Sequence, residues 1–272
     1  MPAVSTVDFH NHIIPGVDDG AADEAECLAA LRALAEQGVA AVVATPHVDA
    51  AVTTDPDALA ERLEEIDRGW DALRVAAAEG GVAVRLYRGV ELNLDTPNPN
   101  LDDPRLRLAG GAFVLMEFPF MAVPPHAARA VRQLRERGVI PIVAHPERYH
   151  NLDNDLRLPG EWRDAGAYLQ VNGGSLLGRY GGEARRRASV LLERGWADYL
   201  SSDYHARGDP QVRAYEALLL ETGAEEQAEL LMRSNPARLL EGRAPIPVPP
   251  YTVSRTLLDR LRSLFGSHGR RS

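Results

Sequence analysis

Apolar runs alternate with amphipathic segments along this 272-residue chain, and most of the runs end in a side chain that binds metal ions. A run that is apolar throughout is typical of a strand buried on both faces of a parallel sheet. Strands that alternate with helices predict an α/β fold, and seven strands predict a barrel-like domain. The predicted strands are residues 4–9, 39–45, 82–92, 112–118, 139–144, 167–172 and 197–202.

Helical periodicity fills the intervals between these runs. In the first helix, Leu28, Leu31 and Leu34 follow at three-residue steps and Gly38 marks the end. The predicted helices are residues 23–37, 56–79, 125–137, 183–194, 210–222 and 224–233. These elements together predict a single α/β domain over residues 1–243.

A proline-rich segment separates this domain from a basic C-terminal end. The sequence Ala-Pro-Ile-Pro-Val-Pro-Pro at residues 244–250 predicts an extended, stiff linker. Beyond it, arginines outnumber acidic residues and apolar side chains share one helical face, those of Leu257, Leu261, Leu264 and Phe265. Residues 244–272 are therefore predicted to be a linker and a basic amphipathic tail. The tail suits either peripheral contact with a membrane surface or packing as a terminal helix on the barrel.

Potential metal ligands stand at the ends of the predicted strands. A parallel barrel gathers the C-terminal ends of its strands on one face, so residues far apart in sequence are expected to converge there. Buried carboxylates without partners are costly, and binding a cation would account for several of them at once. The predicted ligands are His10, His12, His47, Glu91, Glu117, His145, Asp203 and His205.

Acidic residues near the first His-x-His pair suggest supporting roles. Residues i and i+2 of a strand point the same way, so His10 and His12 are expected to hold one ion together. Asp8 belongs to the same face and is expected to orient a ligand histidine through a hydrogen bond. Asp18 and Asp19 are interpreted as turn-forming residues.

The ligand types favour hydrolysis of a phosphate ester. Mixed histidine and carboxylate ligands suit Mn, Zn or Fe(II). Two or three close ions lower the pKa of a bridging water and clamp a tetrahedral anion, which predicts attack on phosphorus by a metal-bridging hydroxide. Arg148 follows ligand His145 and offers a planar pair of donors to phosphate oxygens. The candidate catalytic residues are Arg148, Asp203 and His205.

The composition excludes several other classes of protein. A formal net charge of -9 argues against a nucleic-acid surface, which needs clustered positive charge. The chain has no lysine, which excludes Schiff-base chemistry and a metal site bridged by a modified lysine.

Cys27 lies inside a predicted helix and is interpreted as a buried structural thiol. The N-terminal residues lack the apolar stretch of a signal peptide, so a cytoplasmic location is expected.

The motifs, in order along almost the whole chain, closely resemble the polymerase-and-histidinol-phosphatase (PHP) superfamily. Within it they resemble the bacterial capsule-type, manganese-dependent protein tyrosine phosphatases. The matching segments are Asp8–Gly20, Ala44–His47, Gly89–Glu91, Glu117–Pro119, Ala144–Tyr149, Gln170–Gly178, Ser202–His205, and Asn235-Pro236 through the basic terminal Leu264-Phe265-Gly266. The resemblance implies a distorted seven-stranded (β/α) barrel with three metal ions, usually manganese.

The resemblance also implies how the ligands are shared. One ion would be held by His10, His12, Glu91 and Asp203, a second by Glu91, Glu117 and His145, and a third by His47 and His205. Arg148 resembles the family's phosphate-binding arginine. A second family arginine corresponds to Pro210 here, and Arg207 is the nearest candidate to replace it in substrate binding. The implied substrate is phosphotyrosine on a protein, specifically a bacterial tyrosine kinase that controls capsule or exopolysaccharide synthesis.

Two other functions are compatible with the same residues. One is a small-molecule phosphatase of the histidinol-phosphatase kind, which would use the same metal cluster. The other is a non-catalytic, metal-stabilised regulator that binds a kinase, although such proteins usually lose some ligands and this set is complete. An oligomeric assembly is left open by the sequence.

Overall fold

The computed structural model describes residues 5–153 and 155–251 as an α/β fold. Its strands are β1 (Thr6–Asp8), β2 (Val39–Ala44), β3 (His47–Asp49), β4 (Arg85–Arg88), β5 (Glu91–Asn93), β6 (Phe113–Glu117), β7 (Ile140–Ala144), β8 (Tyr168–Asn172) and β9 (Tyr199–Ser201). Its α-helices are α1 (Glu24–Glu36), α2 (Pro56–Glu79), α3 (Ala127–Glu136), α4 (Arg157–Asp164), α5 (Gly173–Leu176), α6 (Gly181–Glu193), α7 (Val212–Glu221), α8 (Glu225–Glu229) and α9 (Asn235–Leu240).

The described strands are all parallel and occupy seven positions in chain order. One sheet has the order β1-β2-β4, and the other has the order β3-β5-β6-β7-β8-β9. Two strand positions are interrupted: Thr45-Pro46 separates β2 from β3, and Gly89-Val90 separates β4 from β5. The predicted α/β class and the seven strand positions are therefore confirmed, while the predicted strand 82–92 is wrong in being continuous.

The chain after the last strand lies beside the chain after the first. An isolated parallel bridge joins Asn11 to Tyr204. The amide of His12 donates to the carbonyl of Tyr204 at 2.8 Å, and the amide of Asp203 donates to the carbonyl of His10 at 2.9 Å. Because of these bonds, the first and last groups of predicted ligands become neighbours.

Side chains of β6 alternate between two apolar clusters. In β6, Val114 and Met116 belong to the larger cluster, which the helices cover. Phe113 and Leu115, which point the opposite way, belong to a smaller cluster with Phe9 and other residues of β2, β7 and β9. Strand β6 therefore buries both faces, as its apolar sequence predicts.

Capping residues fix where the first two helices begin. The side chain of Asp23 accepts a hydrogen bond from the amide of Glu26 at the start of α1. The side chain of Asp55 accepts from two amides at the start of α2, and Pro56 occupies the first turn. The predicted bounds of the second helix, 56–79, agree with the structure.

Helix α4 was not predicted because its sequence contains Pro159 and Gly160, which are poor helix formers. Packing compensates for the weak propensity. Trp162 of this helix is fully buried, and its ring lies 5.3 Å from that of Phe118 and 5.9 Å from that of Tyr149. Among the described helices, none is long and apolar enough to cross a bilayer.

The described part of the proline-rich segment lies against the domain. Val248 and Tyr251 are buried, and the side chain of Asn235 exchanges hydrogen bonds with the backbone of Ile246 at 2.7 and 3.0 Å. The predicted amphipathic tail begins beyond residue 251 and lies outside the described residues. The division into a domain over 1–243 and a tail over 244–272 stays a prediction.

Substitution of Gly20 tests the turn that follows the first ligand pair. A Cβ atom at Gly20 would overlap the backbone of His12, so Gly20→Ala must displace that residue. We expect a loss of about 1–3 kcal/mol in the free energy of unfolding, measured by denaturant titration. Gly182→Ala is the matched control, because a Cβ atom there meets nothing within 4 Å. Equal stability of both variants would contradict the expectation.

Candidate metal centre

The eight predicted ligands lie together, at or shortly after the ends of β1, β2, β4, β6, β7 and β9, and Glu91 is at their centre. Its carboxylate lies 3.1 Å from His10 Nε2 and 3.3 Å from His12 Nε2. Asp203 Oδ1 lies 3.3 and 3.5 Å from the same two nitrogens. These four side chains are buried, and one atom of each lies within 4.8 Å of the others. The geometry fits a cation bound by two imidazoles and two carboxylates.

Two further groups overlap the first through Glu91 and His12. The second contains His47, Glu91 and Glu117, with His47 Nδ1 lying 3.3 Å from Glu91 and 3.5 Å from Glu117. His145 Nε2 lies beside the same two carboxylates, 3.1 Å from Glu91 and 3.7 Å from Glu117. Within residues 5–153 and 155–251, the groups that are close enough to hold a cation are His10, His12, Glu91 and Asp203; His47, Glu91 and Glu117; and His12, Asp19, His47 and His205.

Asp19 is a potential ligand that the sequence reasoning missed. Its Oδ1 lies 3.4 Å from His205 Nε2 and 3.6 Å from His47 Nε2, and its side chain is 63% exposed. The interpretation of Asp19 as a turn-forming residue alone is therefore too narrow. Its place in Asp18-Asp19-Gly20, soon after the His10-Asn11-His12 motif, was the available signal.

Gln170 and Asp18 orient the first histidine pair. His10 Nδ1 donates to Gln170 Oε1 at 2.8 Å, and His12 Nδ1 donates to Asp18 Oδ2 at 2.8 Å. In both rings the Nε2 atom is thereby directed to the carboxylates, as in many metal sites. Asp18 also accepts hydrogen bonds from the amides of Gly20 and His47, so it forms the turn and positions a ligand at once.

Asp8 does not have the role that the sequence suggested. Its carboxylate accepts hydrogen bonds from the side chain of Ser201, from the amide and hydroxyl of Ser202, and from the side-chain amide of Asn11. The expectation that Asp8 forms a hydrogen bond to a ligand histidine is wrong. Asp8 instead joins the segment that carries the first histidines to the segment that carries Asp203.

Several buried polar atoms at the centre lack hydrogen-bond partners among the described residues. They are His10 Nε2, His12 Nε2 and Glu91 Oε2. Such atoms are rare in proteins, because burial without a partner costs about 1–3 kcal/mol for each group. These three atoms lie close to one another in one ligand group. Carboxylate oxygens lie within 3.5 Å of the two histidine nitrogens. Coordination to a cation would satisfy the three atoms together, so the residues fit a metal site.

The charges at the centre shift the pKa values of its groups in opposite directions. Burial lowers the pKa of His10, but the charges of Glu91 and Asp203 outweigh it and raise the pKa to about 9. Burial and the charge of Glu91 raise the pKa of Glu117 to about 8. Burial alone would raise the pKa of Asp203, yet His10 and His12 hold it below its ordinary value. His10 and Glu117 therefore retain protons near neutral pH.

Left-handed backbone conformations aim two of the predicted ligands. His145 has φ 34° and follows β7, and Asp203 has φ 52° and follows β9. Residues other than glycine rarely adopt positive φ, and this conformation costs about 1–3 kcal/mol at each position. In both cases the left-handed residue comes just after the strand, and its own side chain lies in the cluster. Such backbone strain is typical of functional sites.

Arg148 contacts the cluster, whereas Arg207 does not. Arg148 Nη1 donates to Asp203 Oδ2 at 2.6 Å, and the side-chain amide of Asn172 donates to the same oxygen at 2.7 Å. Arg207 is exposed and forms no ion pair within the described ranges. Substrate binding by Arg148 and Arg207 remains a prediction.

A family model described as capsular polysaccharide synthesis, CpsB/CapC, matches residues 6–241. The chain belongs to the CpsB/CapC family. The resemblance inferred from the motifs is confirmed, and it covers the whole region that carries the predicted ligands.

Relatives and solved structures agree with this assignment. The tyrosine-protein phosphatase YwqE of Bacillus subtilis is 31% identical over 269 residues, which cover 96% of this chain and 99% of that protein. The tyrosine-protein phosphatase CpsB of Streptococcus pneumoniae is 27% identical, over 86% of this chain and 98% of that protein.

A chain from the crystal structures of YwqE and CpsB, described as metal-dependent tyrosine phosphatases, matches with a TM-score of 0.69 and 27% identity. It covers 92% of this chain and 100% of that one. A phosphotriesterase homology protein of Escherichia coli has a TM-score of 0.52 at 15% identity, over 88% of this chain and 99% of its own length. This second likeness concerns the fold alone.

Replacement of Asp18 tests the orientation of His12. Asp18→Asn keeps the shape of the side chain but removes the charge that holds His12 Nδ1. We expect manganese to bind about tenfold more weakly, because partners of ligand histidines contribute to metal affinity to this extent. Competition with a chelating dye measures the affinity. Asp71→Asn, on an exposed ion pair with Arg74, is the control and should bind as the unmodified protein does.

Proton release on metal binding tests the raised pKa values. Both His10 and Glu117 hold protons at neutral pH in the metal-free protein, since their pKa values are about 9 and about 8. A cation binds the deprotonated groups, so its affinity should increase as pH rises from about 7 to about 9. Calorimetry in buffers of different ionisation enthalpy measures the released protons. The Glu117→Gln variant should release fewer protons when the cation binds. A metal affinity that does not change with pH would contradict this account.

Proposed function

We propose that this chain is a metal-dependent protein tyrosine phosphatase, a phosphomonoesterase that hydrolyses phosphotyrosine on proteins. The observation that carries the proposal is a set of three overlapping ligand groups, two of which share Glu91, with the Arg148 guanidinium against the carboxylate of Asp203. Membership of the CpsB/CapC family supports the same conclusion, since the relatives YwqE and CpsB are named tyrosine-protein phosphatases.

Two or three divalent ions are proposed, with manganese favoured and iron or zinc as alternatives. The first would be held by His10, His12, Glu91 and Asp203, whose ligand atoms form one group. The remaining ligands would be Glu117, His145, His47 and His205, with Asp19 added on the basis of its position near two histidines. Bound cations would supply an activated water at neutral pH and would neutralise charge on the phosphate.

Arg148 is proposed to bind the phosphate. A guanidinium carries five N–H donors in one plane, and Asp203 accepts from one of them in the described contacts. The free donors suit the oxygens of a phosphoryl group, over which negative charge is spread in the transition state. Tyrosine ionises with an ordinary pKa of about 10, so its phenolate leaves readily and a strong general acid is unnecessary.

The biological setting follows from the family and is part of the proposal. The target would be an autophosphorylated bacterial tyrosine kinase of capsule or exopolysaccharide synthesis, reached in the cytoplasm. Arg207 would assist in binding the substrate. Residues 244–272 would form a separate segment that contacts a membrane surface or the barrel.

Metal removal and restoration test the proposed activity. Protein stripped by chelation should not hydrolyse a tyrosine phosphopeptide, and manganese should restore hydrolysis more fully than zinc or Fe(II). The same preparations should hydrolyse histidinol phosphate much more slowly. A clear preference for histidinol phosphate would assign the chain to small-molecule metabolism, and no turnover of either compound with full metal content would favour a binding role.

Replacement of one ligand provides the matched variant. His145→Ala removes a buried imidazole beside Glu91 and Glu117, so kcat/KM should fall on the order of 10²-fold or more. His268→Ala, which lies outside the described residues in the basic tail, should change kcat/KM little. Equal activity of the two variants would show that His145 is not part of the catalytic centre.

A further inference from the structure

Tyr180 lies against the guanidinium of Arg148. The Cζ atom of Arg148 is 4.1 Å from the centroid of the Tyr180 ring, which is the closest of the arginine–aromatic stacks found among the described residues. Arginine is attracted to an aromatic face by the ring quadrupole, and the attraction is stronger where water is partly excluded. The Arg148 side chain is 24% exposed, and that of Tyr180 is half-buried.

The stack restricts the guanidinium without occupying its donors. The Cζ atom lies over the ring, which itself offers no hydrogen-bond acceptor atom to the N–H groups of the guanidinium. Nη1 is fixed at the edge by Asp203 Oδ2, 2.6 Å away. An arginine side chain loses about 2 kcal/mol of rotamer entropy when it is held in one conformation. Tyr180 and Asp203 together impose that conformation before a substrate arrives.

Tyr180 is itself held by the segment that follows β8. A Cβ atom at Gly174 would lie 3.3 Å from Tyr180 Cε2, so the ring is close to the backbone of that glycine. The amide of Arg179 donates to the Gly174 carbonyl at 2.9 Å, which fixes the chain next to Tyr180. The same segment begins at Asn172, whose side chain donates to Asp203. Tyr180 therefore has a defined position relative to the metal cluster.

We propose that Tyr180 is a positioning residue that holds the Arg148 guanidinium in the orientation needed to bind the phosphate. The inference rests on the proposed function for its substrate, a phosphotyrosine ester. The aromatic face supplies the effect, and the Tyr180 hydroxyl has no part in it. Loss of the ring would leave Arg148 present but free to adopt other rotamers.

Substitutions at Tyr180 separate the ring from the hydroxyl. Tyr180→Phe should keep kcat/KM for a tyrosine phosphopeptide, because the ring remains. Tyr180→Leu and Tyr180→Ala should lower it about tenfold, the size expected for a partly desolvated cation–π contact. The leucine variant keeps apolar bulk at the site, so it distinguishes loss of the stack from loss of packing if the alanine variant folds poorly.

A double-mutant cycle tests whether Tyr180 acts through Arg148. In an Arg148→Ala background, Tyr180→Leu should have no further effect on kcat/KM, whereas independent roles would give multiplicative losses. Trp196→Ala is the control, because it removes the stack of Arg194 on Trp196 at 4.7 Å. Trp196 precedes β9, at the opposite end of that strand from Asp203, so its loss should leave kcat/KM unchanged.

A spectroscopic measurement tests the stack in the metal-free protein, independently of catalysis. Signals of the Arg148 side chain, assigned by their loss in Arg148→Ala, should be shifted upfield by the ring current in the unmodified protein and in Tyr180→Phe. The shift should disappear in Tyr180→Leu. If the shift behaves as expected but no phosphopeptide is hydrolysed, the stack stands and the proposed function fails.

The reverse outcomes overturn the positioning role. An active enzyme in which Tyr180→Leu matches the unmodified protein would exclude it. A loss in Tyr180→Phe as large as that in Tyr180→Leu would assign the effect to the hydroxyl instead. Multiplicative losses in the double variant would show that Tyr180 acts apart from Arg148.

Discussion

The buried carboxylate of Glu91 is the constraint on which the site depends. It lies within 3.3 Å of nitrogen atoms from four histidines, which come from three different strand positions of the fold. A charge in such a place is unfavourable unless partners surround it. The parallel strands satisfy this requirement, because their C-terminal ends deliver those partners to one location. The side chain of Glu91 therefore connects the arrangement of the strands to the candidate metal site.

Much of the fold was predictable because its elements are encoded locally. Residues 39–44 are apolar throughout, and the helix over 56–79 begins with Asp55 as its cap and Pro56 in its first turn. Helix α4 could not be predicted, since Pro159 and Gly160 oppose it locally and the burial of Trp162 stabilises it through distant contacts.

The candidate ligands were easier to predict than the residues that support them. A histidine or glutamate at the end of an apolar run is conspicuous, because an ordinary strand gives it no partner. Gln170, in contrast, is an ordinary polar residue in sequence, and its bond to His10 spans 160 positions. Asp18 and Asp19 looked like turn residues because they do form a turn. Only the tertiary arrangement reveals that this turn also faces the histidines.

The contacts between the chain near β1 and the chain near β9 affect when the metal site can form during synthesis. Asp8 bonds to Ser201 across 193 positions, and Asn11 pairs with Tyr204. Contacts of such long sequence separation form slowly, after local structure has been established. During synthesis the first histidines emerge long before Asp203 does. A complete cation site therefore exists only once the last strand has docked, which ties metal acquisition to the end of folding.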